Sequence, residues 1–268
     1  VLSKPSVSDD GTEIVYVGTD NHIYYITINW NTSQVQEQRL SNTPVWRNVL
    51  IAKDGSKVAA LEKELKKEIV VFNFGTTITS AVFELYNPTF TQDVNTGDVQ
   101  YADAMEFDLS GEYIMYDANN KLKSNTAGTI EYWDIGFIKV WNNQTKTFSL
   151  GVIEKLFPAL PSDVSVGNPA FAKNSPYIVA FDYLEGNKFY ILGANVERGQ
   201  VSLLWENNDL GFPNYSSMDN RIVFDNKGNT ATNIGVMNLK TNKIEPAAQP
   251  VLLLTNRRWA SWFSNGSR

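Results

Sequence analysis

Residues 105–117 read MEFDLSGEYIMYD: an apolar run, a polar turn centred on Ser110 and Gly111, and a second apolar run closing on Asp117. The same phrase recurs as PSVSDDGTEIVYV from Pro5, VLIAKDGSKVAAL from Val49, PAFAKNSPYIVAF from Pro169, PNYSSMDNRIVFD from Pro213 and, cut short, ASWFSNGSR from Ala260. Each copy reads as a β-hairpin, since Gly supplies the positive φ of a tight connection and Asp or Asn bonds back to nearby backbone. Small antiparallel units repeating at intervals of roughly 40–60 residues are the signature of a β-propeller.

Aligning the copies on the turn places Gly11, Gly55, Gly111, Ser175, Asp219 and Gly266 at one position. Four residues earlier stand Val7, Ile51, Phe107, Phe171, Tyr215 and Trp262, an apolar column suited to packing between neighbouring sheets. In the second strands, pairs such as Ile14 with Tyr16 and Val58 with Ala60 alternate as on a strand with one buried face. Third strands follow at 22–29, 67–74, 132–141, 188–194 and 233–239, and the segments VQEQRL, AVFELY, KTFSLG, VSLLWE and PVLLLT supply fourth strands. The fold class is therefore all-β, a single propeller domain over residues 1–268 with four-stranded antiparallel blades. Repeats start near residues 5, 49, 105, 169, 213 and 260. Six blades are favoured, the last incomplete in this chain, with a five-bladed ring as the alternative. The second and third repeats are longer than the rest and carry insertions near FTQDVNTGDVQYAD, NNKLKSNTAGTIE and EKLFPALPSDVSVG. On a repeat scaffold, insertions gather on one face, where partners bind.

Composition narrows the function. A chain of 268 residues with 43% hydrophobic and 19% charged residues holds a substantial core. Its net charge of −6 opposes nucleic-acid binding, which needs clustered Lys and Arg. Lys63, Lys66 and Lys67 are balanced by Glu62, Glu64 and Glu68 and read as an exposed turn. No apolar run reaches membrane-spanning length, so no membrane insertion is expected. With no cysteine and only His22 as histidine, thiolate metal sites, disulfides and a catalytic zinc site lack ligands. No Gly-x-Ser-x-Gly elbow accompanies His22, and no phosphate loop is present. The chain starts at Val1 rather than Met, which reads as a processed or truncated product.

The pattern S-x-D-G-x-x-I-x-Y, present as SDDGTEIVY and more weakly as DLSGEYIMY and KDGSKVAAL, resembles the TolB-type, WD-like propeller repeat. The stretch YADAMEFDLSGEYIMYDANNKL, followed by IEYWDIGFIKVW, also resembles bacterial secreted or surface-associated propeller proteins. The resemblance implies a rigid platform for protein or ligand contacts in an extracytoplasmic bacterial setting (secreted, periplasmic or at the cell surface) and carries no catalytic signature. The Trp133-Asp134 pair opens a third strand, which separates these repeats from ordinary WD repeats.

Three sets of residues carry chemistry. Residues preceding the opening strands, Trp46, Arg47, Asn48, Asp103, Arg257, Arg258 and Trp259, combine guanidinium forks with flat rings at one mouth of the channel and suit an anionic or carbohydrate partner. The competing reading is inter-blade salt bridging, such as Arg47 with Asp103. Asp103, Glu106 and Asp134 are the carboxylates of an alternative, glycoside-active reading, in which one acts as acid and another as nucleophile or base. Asp93, Asn95 and Asp98 present hard oxygens around a Gly and form a weak calcium candidate, without the bidentate Glu of a helix-loop-helix site. The expectation is a non-catalytic scaffold with a protein partner, an assembly or adhesion module, and no cofactor unless calcium binds. The alternatives are a glycoside-active propeller or the accessory domain of a larger enzyme.

Overall fold

The computed structural model describes residues 3–75, 77–88, 97–124, 128–161, 163–228 and 231–263. Five four-stranded antiparallel sheets make five blades, each running outward from a central channel. Blade 1 comprises β1 (Ser6–Val7), β2 (Glu13–Val17), β3 (Ile23–Asn29) and β4 (Gln34–Arg39). Blade 2 holds β5 (Trp46–Ile51), β6 (Lys57–Glu62), β7 (Glu68–Phe74) and β8 (Ile78–Glu84). Blade 3 holds β9 (Asp98–Phe107), β10 (Tyr113–Ser124), β11 (Gly128–Lys139) and, after a small ribbon of β12 (Trp141–Asn142) and β13 (Thr147–Phe148), the outer strand β14 (Ile153–Lys155). Blade 4 is β15 (Val164–Phe171), β16 (Ile178–Glu185), β17 (Lys188–Asn195) and β18 (Gln200–Asn207). Blade 5 is β19 (Asn214–Tyr215), β20 (Arg221–Lys227), β21 (Thr232–Asn238) and β22 (Val251–Leu254).

The repeated turn has the geometry its sequence dictates. Gly11, Gly55 and Gly111 have φ of 70°, 73° and 66°, and Asp219 adopts 55° at the equivalent place. The acidic residues beside them cap the turns: Asp10 accepts the Thr12 N–H at 3.0 Å, Asp54 that of Ser56 at 3.0 Å and Asp108 that of Ser110 at 3.1 Å. In blade 4 the turn is one residue longer, since Ala172 bonds to Ile178 where the other copies close over five residues, as Ala52 does to Lys57.

Four apolar clusters fill the four interfaces between consecutive blades. Val15, Val17 and Ile23 meet Trp46, Val49 and Ile51 between blades 1 and 2, while Leu61 and Ile69 join Phe107 and Ile114 between blades 2 and 3. Phe171 and Phe181 meet Met115 and Ile135 between blades 3 and 4, and Tyr215 and Phe224 meet Ala180 and Ile191 between blades 4 and 5. Second strands in the ring interior are thus covered on both sides: Val58, Ala59, Ala60 and Leu61 are all buried. This corrects the expected alternation, which holds only for a sheet with one solvated face. Blade 1 does alternate, but on the face opposite to the expected pair: Val15 and Val17 are buried against blade 2, while Ile14 and Tyr16 are half-buried.

The sixth copy of the phrase forms no strand among the described residues, so these residues contain five blades and do not confirm the expected six. Its opening segment bridges blades 5 and 1. Trp262 donates its amide N–H to Asn214 Oδ1 at 2.9 Å, and the Phe263 ring stacks on Trp30 at 6.0 Å. In the third blade, the expected fourth strand KTFSLG instead contributes β13 to the ribbon, and β14 takes the outer place.

Candidate functional site

The opening strands surround a cavity of about 470 Å³ along the channel axis. Residues from every blade reach it, as do Ser3 and Lys4 before β1 and Trp259, Ser261 and Trp262 of the sixth phrase. Its size falls in the range of small-molecule pockets.

One end is framed by residues expected ahead of the opening strands; Arg47 and Asn48 in fact lie within β5 and Asp103 within β9, because those strands start earlier than the repeat phrase, while Arg258 follows β22. Arg47 Nη1 lies 2.6 Å from Asp103 Oδ1, and the same guanidinium donates to the Ala102 carbonyl and sits 5.7 Å from the centre of the Tyr101 ring. Asn48 donates to the Asp103 carbonyl. Opposite them, Arg258 lies over Phe212 and Trp259 at 5.7 and 5.6 Å and donates to Asp225 at 3.2 Å.

Further along the channel, where the opening strands run into their turns, a buried ion network spans four blades. Lys53 Nζ donates to Glu106, while Lys173 Nζ lies 3.7 Å from Glu106 and 3.8 Å from Asp9. Burial works against the Lys53 charge, but Glu106 and Asp9 outweigh it and raise the pKa above the usual lysine value. Burial would push Glu106 up, yet Lys53 and Lys173 hold it below the usual carboxylate range. Lys173 is lowered to about 7 by burial and by the neighbouring Lys53.

A second motif ties the blades together around the cavity. Asp117, Asp182 and Asp225 are each the fifth residue of the second strand, in blades 3, 4 and 5. Asp117 accepts N–H bonds from Ala104 at 2.7 Å and from Asn168 of the next blade at 2.8 Å. Asp182 accepts those of Gly211 at 2.8 Å and Phe212 at 3.1 Å, and Asp225 that of Trp259 at 2.8 Å. Asn168, Phe212 and Trp259 are left-handed, with φ of 50°, 46° and 61°. Such strain persists where surrounding bonds over-determine it. Burial pushes Asp117 and Asp182 up to about 7 and raises Asp225, against the opposing effect of these amide donors.

The structure divides the sequence-predicted residues. Arg47, Asn48, Asp103 and Trp259 line the cavity together, with the Arg47–Asp103 bridge formed. Arg258 flanks it against Phe212 and Trp259. Trp46 belongs to the core, edge-on to Phe72 at 5.8 Å, because its strand buries that face against blade 1. Arg257 is exposed and bonds to the Asn256 carbonyl at 2.9 Å. Asp103 and Glu106 both line the cavity, while Asp134 is buried against Lys155 of β14 and does not. Asp93 and Asn95 lie outside the described residues, and Asp98 opens β9. Among the described residues, no three His, Cys, Asp or Glu side chains cluster as metal ligands, and no helix is long and apolar enough to cross a membrane.

Sequence reasoning missed Lys4, Lys53, Lys173 and the three aspartates. Two signals were present: Ala52-Lys53 and Ala172-Lys173 occupy one place in the repeat phrase, and an aromatic-Asp pair closes two copies, at Tyr116-Asp117 and Phe224-Asp225, and straddles the end of a third, at Phe181-Asp182.

No family model matches the sequence, and no curated protein matches it by sequence. Solved structures do match by shape. TolB from Acinetobacter baumannii superposes with a TM-score of 0.61 at 13% identity, covering 97% of this chain and 56% of that one. A protein assigned as TolB from Agrobacterium tumefaciens gives 0.60 at 12%, covering 98% and 86%. A chain of a nidogen/laminin complex gives 0.57 at 9%, covering 92% and 80%. This chain thus spans just over half the length of the Acinetobacter structure. At such identities the likeness concerns the fold: the chain is a β-propeller of the kind seen in TolB structures.

Proposed function

We propose that the chain is a binding scaffold whose contact face is the end of the ring bearing the insertions, with a protein as partner in an extracytoplasmic bacterial setting. The observation that carries this reading is the β10–β11 hairpin. Twelve residue pairs join these strands, from Tyr113 opposite Lys139 to Ser124 opposite Gly128, whereas β6 and β7 pair over four. Lys121, Lys123, Thr129 and Glu131 near its tip are exposed. The other long connections lead to the same end: β9 starts at Asp98 opposite Lys121, and β15 starts at Val164 opposite Glu185. A rigid ring carrying its variable loops on one face fits docking, since positions held by a scaffold lose little entropy on binding. A six-bladed ring, completed beyond the described residues, belongs to the same proposal. So does the calcium candidate around Asp98.

The carboxylates give the glycoside-active reading less support. Glu106 is held ionised by two ammonium groups, which suits neither a general acid nor a free nucleophile, and Asp103 is tied to Arg47.

The test compares the purified chain with a variant in which residues 122–130 are replaced by Asn-Gly, closing the hairpin on the Lys121–Glu131 pair. Cross-linking capture from an extract of the source organism is expected to yield a partner with the native chain and to lose it with the shortened hairpin. An identical set of captured proteins overturns the reading.

A further inference from the structure

We propose that the channel cavity is a binding site for a small anion bearing carboxylate or phosphate groups. This goes beyond the docking reading, because it concerns the interior of the channel rather than its loop-bearing rim.

The argument starts from an imbalance of hydrogen-bond donors. Of the buried side-chain polar atoms without a partner among the described residues, Ser3 Oγ, Arg47 Nε, Trp259 Nε1 and Trp262 Nε1 belong to residues that line this cavity. Three of these atoms are N–H donors with no capacity to accept, and the serine hydroxyl donates as readily as it accepts. A buried donor left unpaired costs more than a made bond returns, so a cluster of them around one cavity calls for an acceptor-rich occupant.

Charge points the same way. The titratable residues lining the cavity are Lys4, Arg47, Lys53 and Lys173 against Asp103 and Glu106. Both carboxylates are committed, Asp103 to Arg47 and Glu106 to Lys53. Lys4 takes part in no ion pair within 4.0 Å among the described residues. Burial lowers its pKa, and Glu106 and Asp225 offset this only in part. A cation-rich cavity inside a chain of net charge −6 is not a consequence of bulk composition. An anion seated here would compensate Lys4, and a small rotation of the bordering indoles would bring their N–H groups onto it.

The experiment titrates the full chain at low ionic strength, by calorimetry and tryptophan fluorescence, with citrate, inorganic phosphate and, as a neutral control, glycerol. Saturable binding of citrate or phosphate is expected, with no response to glycerol and weaker binding as salt rises. Tighter binding of citrate assigns a carboxylate ligand, and tighter binding of phosphate a phosphate ligand. Lys4→Met is expected to weaken binding about tenfold, the value of one charge-assisted hydrogen bond, and Lys4→Arg to retain most of it. Trp262→Phe, which keeps the ring and removes the N–H, is expected to weaken it severalfold. Absence of saturable binding by either anion, or native affinity in a Lys4→Met protein that melts as the wild type does, overturns the proposal. Neither result bears on the hairpin capture experiment, whose variant leaves the cavity intact.

Discussion

The carboxylate of Asp225 accepts the amide N–H of Trp259 at 2.8 Å, repeating in the last blade the bond that Asp117 makes to Asn168 and Asp182 to Phe212. One side chain inside a second strand thus fixes the left-handed residue just before the next repeat phrase. This bond orients the channel-facing residues that follow, and it sets the first two predictions.

Asp182→Ala strands the amides of Gly211 and Phe212 and the side-chain N–H of Asn168. The expected loss of stability is about 2–4 kcal/mol, from several charge-assisted bonds to one buried group. Urea denaturation measures it, and a change below about 0.5 kcal/mol, the scatter of neutral surface substitutions, would remove the bond from any structural role.

Asp117 and Asp182 also predict a pH dependence. Their folded pKa values, near 7, exceed the unfolded value of 3.8, so between these limits the folded state binds more protons than the unfolded one. Their stabilising contribution is complete below about pH 4 and is lost as pH rises through 7, amounting to roughly 4 kcal/mol for each by the linkage relation. The double variant Asp117→Asn/Asp182→Asn is expected to flatten the stability profile between pH 5 and 8 relative to the native chain. Parallel profiles would show that the amide donors cancel the burial.

Within the buried network, Glu106→Gln leaves Lys53 and Lys173 facing each other with Asp9 as the remaining carboxylate partner. Removing one member of a buried ion set costs about 3–5 kcal/mol, whereas replacing a whole set with apolar groups of similar volume is often neutral. Thermal melting is therefore expected to drop sharply in Glu106→Gln and to recover in Lys53→Met/Glu106→Leu/Lys173→Met. A triple variant no more stable than the single one contradicts this.

Gly11 meets two demands at once: its φ is 70°, and a Cβ there would lie 2.2 Å from the Phe263 ring. Gly11→Ala is expected to destabilise by roughly 1–2 kcal/mol from backbone strain alone, and by more through the clash. In a Phe263→Ala background only the backbone part should remain. Equal costs in the two backgrounds would show that the ring does not pack there.

Much of this architecture was legible because hairpin turns are local. Gly11, Gly55 and Gly111 announce themselves through a conformation few residues tolerate, and Ile51, Phe107, Phe171 and Tyr215 share one apolar column. The blade count was less legible, since the phrase from Ala260 has the residues of an opening strand, and only its neighbours decide whether it pairs. Around the cavity, Arg47 and Asp103 stood out as departures from the repeat. Lys53 and Lys173 did not, because charged residues beside a polar turn read as solvated until the ring brings their blades against Glu106 on one axis.

The ring has joints of unequal stiffness. Four have an extensive apolar cluster between their sheets, whereas the contacts of the fifth among the described residues, from Arg258 to Phe263, include an ion pair, two backbone amides and a stacked pair of rings. Interdigitated side chains resist small displacements, and a joint of few discrete contacts yields first. Trp259 and Trp262 line the cavity at that seam, so the residues that close the ring also shape its channel. Amide hydrogen exchange in β1 and β19, which flank the seam, is expected to be faster than in β5 and β15.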